Sequence, residues 1–433
     1  MNRKRVGRWL WITGSGILIL AILAIVFVVN RPSARLTTSV NSDLVFSRTI
    51  YDQHLADELA KVPDHVLVAG PLFRAKGVPV QLFEFGADLQ LQGSRAVKNS
   101  FFYAGDFDTA GNLTFTGGGC PDKSGAWAAC ASVDSLTPSA ETTDPSSAAL
   151  RLDFHEFEAD GQGGYWAIRY ENVICDQQHE KNCGVKPDGT RVPSIGDCHI
   201  VHVEKGRIKS EWSAYDHLPD GQTRGARYGE FADVFHCNSI DSYTIDGARK
   251  LLVSMRNTDS IFQIDVASGV IDWKLGGTEM AGASLTLSNP GTLGITGELS
   301  DPSQILSGQH DARYVGNGQF SVFDNGSKTN RAARGLVFSV DPKNHTATIN
   351  KVFIDPSGVT SGCTGSFRPI HGGAYWVAGW GCSNSGITVF AADTTPIVTT
   401  RLDQAAPANL RATNADMGEA LRWTLSYRAI VEK

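Results

Sequence analysis

The most constraining feature of the sequence is a degenerate repeat of short strand patterns, separated by polar breaks and glycine turns. One copy is RKLLVSMRNTDSIFQIDVASGVIDWKLGG (Arg249–Gly277), and related copies cover Gly318–Phe353 and Gly372–Leu402. An earlier copy begins with GGYWAIRY at Gly163 and, after an insertion, ends with HIVHVEKGRIKSEW (His199–Trp212). Each copy encodes roughly three to four strands, which is the size of one propeller blade.

Blade-sized repeats favour a ring. An isolated blade cannot bury both faces of its sheet, whereas blades packed radially bury one another and leave only short edges. Val78–Gln90 and Phe101–Thr116 supply strands for earlier blades, and Ala420–Val431 alternates well enough to close the ring. At roughly 60 residues a blade, we predict an all-β, six-bladed β-propeller. An irregular two-sheet β-protein is the alternative, and the clearest helical pattern is Asp52–Lys61.

The N-terminal segment predicts a membrane anchor. Trp9 to Val29 is a stretch of 21 residues without a charged side chain, long enough to span the hydrocarbon core. Four basic residues and no acidic one precede it, which places the N-terminus in the cytoplasm and the remainder outside. A cleaved signal peptide is the competing interpretation. We therefore predict a basic tail and signal-anchor over residues 1–35, a linker with a short helix over 36–64, and an extracytoplasmic propeller over 65–433.

The charge distribution argues against nucleic-acid binding. Six basic residues and no acidic one lie in residues 1–35, which leaves 33 basic against 45 acidic residues and a net charge of −12 for the remainder. Such a surface repels phosphate backbones.

Eight cysteines fit an oxidising compartment. Their spacing suggests local disulfides between Cys120 and Cys130 and between Cys363 and Cys382, with Cys175, Cys183, Cys198 and Cys237 remaining. A tetrahedral zinc site at Cys175, His179 and Cys183 is the alternative to disulfide pairing. The number of pairings that eight cysteines permit prevents the sequence from deciding connectivity.

Histidine placement points to chemistry. Five histidines precede the first strand of a repeat or occupy a turn, namely His155, His217, His236, His310 and His371. Equivalent turns of successive blades project onto one end of a propeller channel, so residues distant in sequence converge there. For His155 and His217 we favour the simpler interpretation of turn histidines that hydrogen-bond backbone groups.

His236 and His310 differ because other hydrogen-bonding side chains accompany them. These are Asn238, Ser239, Gln309 and Asp311, together with Arg256, Asn257, Asp324, Asn325 and Arg334 in the repeats that follow. Guanidinium groups grip a tetrahedral oxyanion, amides donate to it, and imidazoles move protons or attack. No Walker A loop, HExxH or GxSxG motif accompanies them.

The ordered set FHCNSID, GARKLLVSMRNTDSIFQIDVASGVIDWKLGG, GQHDARYVGNGQFSVFDNG and RAARGLVFSVD resembles the arylsulfate sulfotransferase family. The upstream DFHEF, GYWAIRY and EWSAYDHLP resemble its amino-terminal half, most of all in the fungal and actinobacterial branch. The resemblance covers about residues 65–430. It implies a six-bladed propeller that transfers a sulfuryl group from a phenolic sulfate ester to a phenol, without 3′-phosphoadenylyl sulfate, through a transiently sulfated histidine.

The resemblance also implies roles. His236 matches the histidine of an H-x-N motif, His310 that of Q-H-D-A, and Arg334 the arginine of the strand after F-D-N-G. Arg334 and His236 would then hold the sulfuryl oxygens, and His310 would be an acid/base or a further donor. The predicted substrate-binding residues are Asn238, Arg256, Asn257, Gln309, Asn325 and Arg368.

The nucleophile is the point at which the sequence departs from the family. Bacterial members carry a further histidine in a later blade, and His371 in GSFRPIHGGAYWVAGWG is the nearest candidate. It falls where the family has a variable turn, and Arg368 occupies the usual polar position of that motif. Cys237 also replaces the usual aliphatic residue between the histidine and the asparagine.

Two functions are therefore open. The first is an extracytoplasmic sulfuryl transferase whose partners are a small-molecule sulfate ester and a phenolic acceptor, and whose chemistry requires no metal or cofactor. The second is a propeller that retains the anion-binding channel and binds an anionic or aromatic ligand without turnover. A nucleophilic histidine beside Arg334 would favour the enzyme.

Overall fold

The computed structural model describes residues 45–70, 81–97, 102–107, 112–117, 132–136, 141–144, 147–176, 181–184, 186, 188–224, 227–228, 232–288, 305–329, 331–381, 386–403 and 428–431. Within these ranges, no helix has the length and hydropathy needed to cross a membrane. The predicted span Trp9–Val29 lies outside them, so the anchor stays a prediction.

The described strands form six sheets, numbered one to six along the chain. Sheet one contains, in spatial order, β28 (Ile430–Val431), β2 (His65–Gly70), β3 (Gln81–Gly86) and β4 (Leu91–Ala96). Sheet two contains β5 (Phe102–Phe107), β6 (Leu113–Gly117), β7 (Ser132–Leu136) and β8 (Glu141–Thr143). Sheet three contains β9 (Leu152–Ala159), β10 (Gly164–Ile174) and β11 (Ser194–Glu204), with β12 (Arg207–Ser213), β13 (Arg227–Tyr228) and β14 (Ala232–Asp233) beyond them.

The remaining sheets follow the same plan. Sheet four contains β15 (Cys237–Ile245), β16 (Ala248–Met255), β17 (Ser260–Asp265) and β18 (Ile271–Gly276). Sheet five contains β20 (His310–Gly316), β21 (Gln319–Asp324), β22 (Arg334–Asp341), β23 (Thr346–Phe353) and β19 (Thr286–Leu287). Sheet six contains β24 (Ser366–Ile370), β25 (Tyr375–Gly379), β26 (Gly386–Ala391), β27 (Pro396–Asp403) and β1 (Val45–Ile50).

Helices are short in the described ranges, at α1 (Gln53–Leu59), α2 (Ser147–Leu150) and α3 (Ala214–His217). The first confirms the helical pattern at Asp52–Lys61. Asp52 is its N-cap, since the carboxylate accepts a hydrogen bond from the Leu55 amide at 2.9 Å.

Turn residues fix the strand registers. Asp246 and Gly247 join β15 to β16 with φ of 51° and 80°, and Asn317 and Gly318 join β20 to β21 with φ of 52° and 70°. Left-handed backbone at both central residues is the type I′ geometry that matches the twist of a two-residue hairpin, and Asp-Gly and Asn-Gly favour it.

The sheets pack face to face as a β-propeller, and the all-β prediction is confirmed. An apolar cluster fills the space between neighbouring sheets; between sheets four and five, for example, Leu252 and Trp273 pack with Phe320 and Leu336. Another cluster joins sheet six to sheet one through Ile387, Val68 and their neighbours. Since β28 pairs with β2, the strand Ile430–Val431 completes sheet one. It is the end of the segment Ala420–Val431 that was predicted to close the ring, and residues 420–427 lie outside the described residues.

In each sheet, the strand named first in the spatial order given above lies at the channel. These six strands are called the inner strands: β28, β5, β9, β15, β20 and β24. Inner strands of neighbouring sheets pack on one another, as β9 does on β15 and β15 on β20. Cross-sheet bonds link their beginnings, for example from Asn238 Nδ2 to the Gln309 carbonyl at 2.7 Å. The end of the channel at which inner strands begin is called the upper end, and the other the lower end.

Disulfides join Cys175 to Cys183 and Cys198 to Cys237, and Cys363 is also disulfide-bonded. The zinc alternative for Cys175 and Cys183 is therefore wrong, because their sulfurs are bonded to each other. The other predicted positions, Cys120, Cys130, His179 and Cys382, lie outside the described residues.

Candidate active site

Three buried imidazoles lie at the upper ends of three consecutive inner strands. His155 belongs to β9, His236 directly precedes β15, and His310 begins β20. The rings of His155 and His236 meet edge to face with centroids 4.9 Å apart. Charge on either of them lowers the pKa of His310, which places all three in one electrostatic environment. The fold thus brings His236, His310 and His155 into one cluster, while the catalytic roles predicted for His236 and His310 stay predictions.

Each imidazole is held through Nδ1. The acceptors are Asp153 Oδ1 at 2.5 Å for His155, Asp233 Oδ2 for His236, and Asn325 Oδ1 at 2.7 Å for His310. A carboxylate or amide oxygen can only accept, so Nδ1 carries the proton and, in the neutral ring, Nε2 carries the lone pair.

The amide of Asn325 is oriented by its own contacts. Its Nδ2 donates to Ser361 Oγ at 3.0 Å and to the Thr364 carbonyl at 2.7 Å, so its Oδ1 faces His310. His310 therefore differs from His155 and His236, because its acceptor carries no charge.

Arg256 supplies the cation of this cluster. It begins the 3₁₀ turn Arg256–Thr258 between β16 and β17, and its backbone amide donates to the His236 carbonyl at 2.9 Å. Its Nη1 donates to Asn257 Oδ1 at 3.0 Å, and Asn257 Nδ2 in turn donates to the Asp233 carbonyl at 2.6 Å. These bonds fix the guanidinium beside the histidine loop.

Burial and the charge of Arg256 hold the pKa of His310 well below its usual range. Burial likewise lowers the pKa of His236, although the Asp233 carboxylate opposes that effect. The charged form is disfavoured most in His310, whose ring is therefore neutral near pH 7. A neutral imidazole is the form that attacks an electrophile or accepts a proton.

Beneath the histidines, inner strands contribute three arginines and three carboxylates, which we call the hub: Glu156, Glu158, Asp311, Arg313, Arg368 and Arg428. All six side chains are buried, and their formal charges cancel. Arg313 Nη2 donates to Glu156 Oε2 and to Asp311 Oδ1, both at 2.8 Å. Arg368 Nη2 donates to Asp311 Oδ1 at 2.8 Å, and Arg428 Nη1 to Glu156 Oε1 at 2.6 Å. The guanidinium groups of the hub lower the pKa of Asp311 far below its usual range, against the effect of its burial.

Several residues predicted to bind substrate instead hydrogen-bond the backbone that carries the histidines. Asn238 donates to the Gln309 carbonyl, and Gln309 Nε2 donates to Ser254 Oγ at 3.0 Å and to the Ser260 carbonyl at 2.8 Å. These amides connect the loop of His236 to the start of β20. Arg368, predicted to bind substrate, has Asp311 of the hub as its partner.

Arg334 is placed differently from its predicted role. Its Nε donates to Asp324 Oδ2 at 2.9 Å and its Nη2 to the Ile305 carbonyl at 3.1 Å, and it lies opposite Asp324 in the strand register. Only 2% of the residue is exposed. The guanidinium whose charge contributes to lowering the pKa of His310 and of His236, beside burial, is that of Arg256.

His371 is also not brought to the cluster. It follows the last residue of β24 and therefore lies at the lower end, one strand length from the end at which His310 begins β20. It is exposed, and its backbone amide donates to Asp64 Oδ2 at 2.5 Å. This position separates His371 from the three histidines by the length of an inner strand, so its assignment as nucleophile stays a prediction that the cluster does not support.

Sequence reasoning underestimated His155, for which a backbone-bonded turn histidine was the preferred interpretation. The signal was present, since Asp153-x-His155 and Asp233-x-x-His236 both place a carboxylate within reach of Nδ1. The simple interpretation holds for His217, whose Nδ1 lies 2.8 Å from the Ser213 carbonyl and whose ring stacks on Trp212.

The family model described as arylsulfotransferase (ASST) matches residues 130–381, which is more than half of the 433-residue chain. No curated protein gave a significant match.

Similar solved structures include a candidate 6-phosphogluconolactonase from Bacteroides fragilis, with 10% identity, 78% of this chain and 94% of that chain covered, and a TM-score of 0.43. AztD from Citrobacter koseri is 10% identical over 86% of this chain and 99% of its own, with a TM-score of 0.38. These scores are too low to bear on activity. By its match to the family model, the chain belongs to the arylsulfotransferase family.

Proposed function

We propose that the protein transfers a sulfuryl group from an aryl sulfate to a phenol at the upper end of the channel. The observation that carries the proposal is the convergence of three buried imidazoles, each anchored through Nδ1, beside the Arg256 guanidinium. Family membership supports aryl sulfates and phenols as substrates. Donor chemistry independent of 3′-phosphoadenylyl sulfate is part of the proposal.

His310 is the proposed nucleophile. Its uncharged acceptor, Asn325, does little to stabilise an imidazolium, and burial beside Arg256 favours the neutral ring. The Nε2 lone pair attacks the sulfur, an N–S bond forms, and the S–O bond to the aryl oxygen breaks. The phenolate that leaves takes a proton from an acid, which regenerates a neutral phenol and leaves a sulfohistidine.

His236 and His155 are the proposed acid and base, because a carboxylate holds each ring through Nδ1 and so directs its Nε2 to proton transfer. In the second step one of them removes the proton of the acceptor phenol. Its oxygen attacks the sulfur, the N–S bond breaks, and His310 returns to its neutral form. Arg256 stabilises the sulfuryl oxygens in both steps, a role for which removal typically costs about 10²–10³ in rate.

We also propose that each of the six sheets is one blade, a count supported by the sheets and by the apolar clusters between them. We propose in addition that the propeller is extracytoplasmic and that Trp9–Val29 anchors it in the membrane. The disulfides Cys175–Cys183 and Cys198–Cys237 support an oxidising compartment.

The test is transfer from p-nitrophenyl sulfate to a phenol, measured as nitrophenol release by the full-length chain made in an oxidising host. Release that requires the acceptor, together with a trapped sulfo-enzyme in wild type and none in His310→Ala, would support the proposal. His217→Ala is the matched control, since it removes a histidine outside the cluster. His371→Ala should also behave as wild type. A folded wild-type protein that binds sulfate esters and never releases nitrophenol would instead identify a binding propeller.

A further inference from the structure

Arg428 is delivered to the centre of the propeller by the C-terminal strand. It precedes β28 of sheet one, and only 1% of it is exposed. Its Nη1 donates to Glu156 Oε1 at 2.6 Å, its Nη2 donates to the Asn238 carbonyl, and its Nε lies 3.4 Å from Asp311 Oδ1. These partners belong to sheets three, four and five, none of which contains Arg428. One guanidinium therefore reaches across the channel to three other sheets.

Each of these partners adjoins one of the three histidines. Glu156 follows His155, Asn238 lies two residues after His236, and Asp311 follows His310 in the sequence. Arg313 also binds Glu156 and Asp311, and its Nη1 donates to the Ile240 carbonyl at 2.6 Å. Among the described contacts of the hub arginines, the bond from Arg428 to the Asn238 carbonyl is the nearest to His236 in the sequence.

The backbone conformations of His236 and Asp311 need support from surrounding contacts. His236 has φ of 52° and Asp311 has φ of 53°, which is left-handed backbone that side-chain-bearing residues rarely adopt. Such conformations persist only where surrounding contacts hold them. Arg428 binds the carbonyl two residues after the first and the carboxylate of the second.

We propose that Arg428 is a positioning residue of the sulfuryl-transfer site, fixing the spacing of His155, His236 and His310 from beneath. The inference rests on the proposed function for its kinetic consequence. Its physical content is that the planar fork of an arginine binds Glu156, the Asn238 carbonyl and Asp311 at once, which the single ammonium of a lysine does not reproduce. The C-terminal strand thus completes the site as well as the fold.

The experiment compares Arg428→Lys with Arg401→Lys in the full-length protein. Arg401 also pairs with a buried carboxylate, Asp355 at 2.9 Å, but in sheet six and away from the histidines. For Arg428→Lys we expect the pre-steady-state rate of nitrophenol release to fall about 10²-fold, the loss typical of a misplaced reacting group, with KM little changed. Arg401→Lys should lose stability and keep this rate. An Arg428→Lys protein that folds and keeps the wild-type rate would overturn the proposal.

A second measurement separates this inference from the proposed function. Ring 15N–1H spectra of the histidines report their environment whether or not the enzyme turns over. Arg428→Lys should move the ring signals of all three cluster histidines, whereas Arg401→Lys should leave them in place. If wild type shows no transfer but the signals move, the function fails and the positioning role stands. If Arg428→Lys does not fold, Glu156→Gln, which removes the charge of one Arg428 partner, takes its place with the same expected results.

Discussion

His310 Nδ1 lies 2.7 Å from Asn325 Oδ1, and this bond distinguishes His310 from the other two histidines of the cluster, whose Nδ1 atoms meet carboxylates. A neutral acceptor fixes the tautomer without adding negative charge. Burial and Arg256 can then keep the pKa of His310 far below its usual range. The difference between an amide and a carboxylate is thus what separates the proposed nucleophile from its proposed proton-transfer partners.

Replacing that amide by a carboxylate tests the division. In Asn325→Asp, negative charge beside Nδ1 stabilises the imidazolium, so the pKa of His310 rises. The neutral ring is the reactive form, and its population at a given acidic pH falls. We therefore expect the acidic limb of the pH–rate profile for sulfo-enzyme formation, which lies well below pH 6.5 in wild type, to move to higher pH.

The matched control is Asn317→Asp, an exposed position in the turn at the lower end of β20. It adds the same charge to the same hairpin and should leave the profile in place. An unchanged acidic limb in folded Asn325→Asp would contradict the assignment of His310 as the group that must be neutral.

Arg256→Gln should lower kcat/KM, whereas Arg334→Gln should lower the free energy of unfolding. Removing Arg256 takes a cation from beside His310, so the pKa of His310 rises, and kcat/KM should fall about 10²–10³-fold. Removing Arg334 breaks a buried hydrogen bond to Asp324, which keeps Arg331 as a partner at 2.7 Å, so the expected cost is about 1.5–3 kcal/mol of unfolding free energy. Steady-state kinetics and urea unfolding of both variants measure these effects.

The roles would be reversed if folded Arg334→Gln lost most of its kcat/KM and Arg256→Gln kept it. That result would restore the role that the family resemblance implied for Arg334. It would also show that the charge of Arg256 is neutralised by groups other than those described above.

The repeat pattern was sufficient to predict the fold because its strands and turns are local. The alternation in Arg249–Gly277 corresponds to β16, β17 and β18. Two-residue turns join β15 to β16 at Asp246-Gly247 and β20 to β21 at Asn317-Gly318. Asp52 likewise marks the start of α1 as its N-cap. These features depend on neighbours in sequence.

The site depended on contacts that local patterns do not record. Arg334 looked equivalent to a sulfate-binding arginine until the strand register placed it opposite Asp324. In the sequence His371 was the nearest candidate for the nucleophile, but it lies after an inner strand, whereas His310 lies at the start of one. Arg428 has no local signal, because its partners are between about 120 and 270 residues earlier in the chain.

The two described disulfides should differ in their contribution to stability. In the chain-entropy description a bridge that spans 39 residues, as Cys198–Cys237 does, contributes about 4 kcal/mol. A bridge that spans 8 residues, as Cys175–Cys183 does, contributes about 2.5 kcal/mol. Urea unfolding of the paired Cys→Ala variants should give the larger loss for Cys198–Cys237. Equal losses would mean that the loop between Cys198 and Cys237 is already restricted in the unfolded chain.

The contribution of the Asp233 carboxylate to the transfer rate should grow with the pKa of the leaving phenol. Asp233→Asn removes the charge that opposes the effect of burial on His236, so the pKa of His236 falls further. The protonated ring that must donate to the departing phenolate then becomes scarcer. General acid catalysis typically contributes about 10²–10⁴-fold, but a phenolate that is stable without a proton needs little of it.

We therefore expect Asp233→Asn to transfer from p-nitrophenyl sulfate at a rate close to wild type and from phenyl sulfate far more slowly. The measurement is the slope of log kcat/KM against leaving-group pKa, which should be steeper in the variant. Asp259→Asn is the matched control, because this buried carboxylate of the same sheet pairs with Lys328 rather than with a histidine. Parallel slopes for wild type and Asp233→Asn would remove His236 from the proton-transfer step and leave His155, with its own partner Asp153, as the acid.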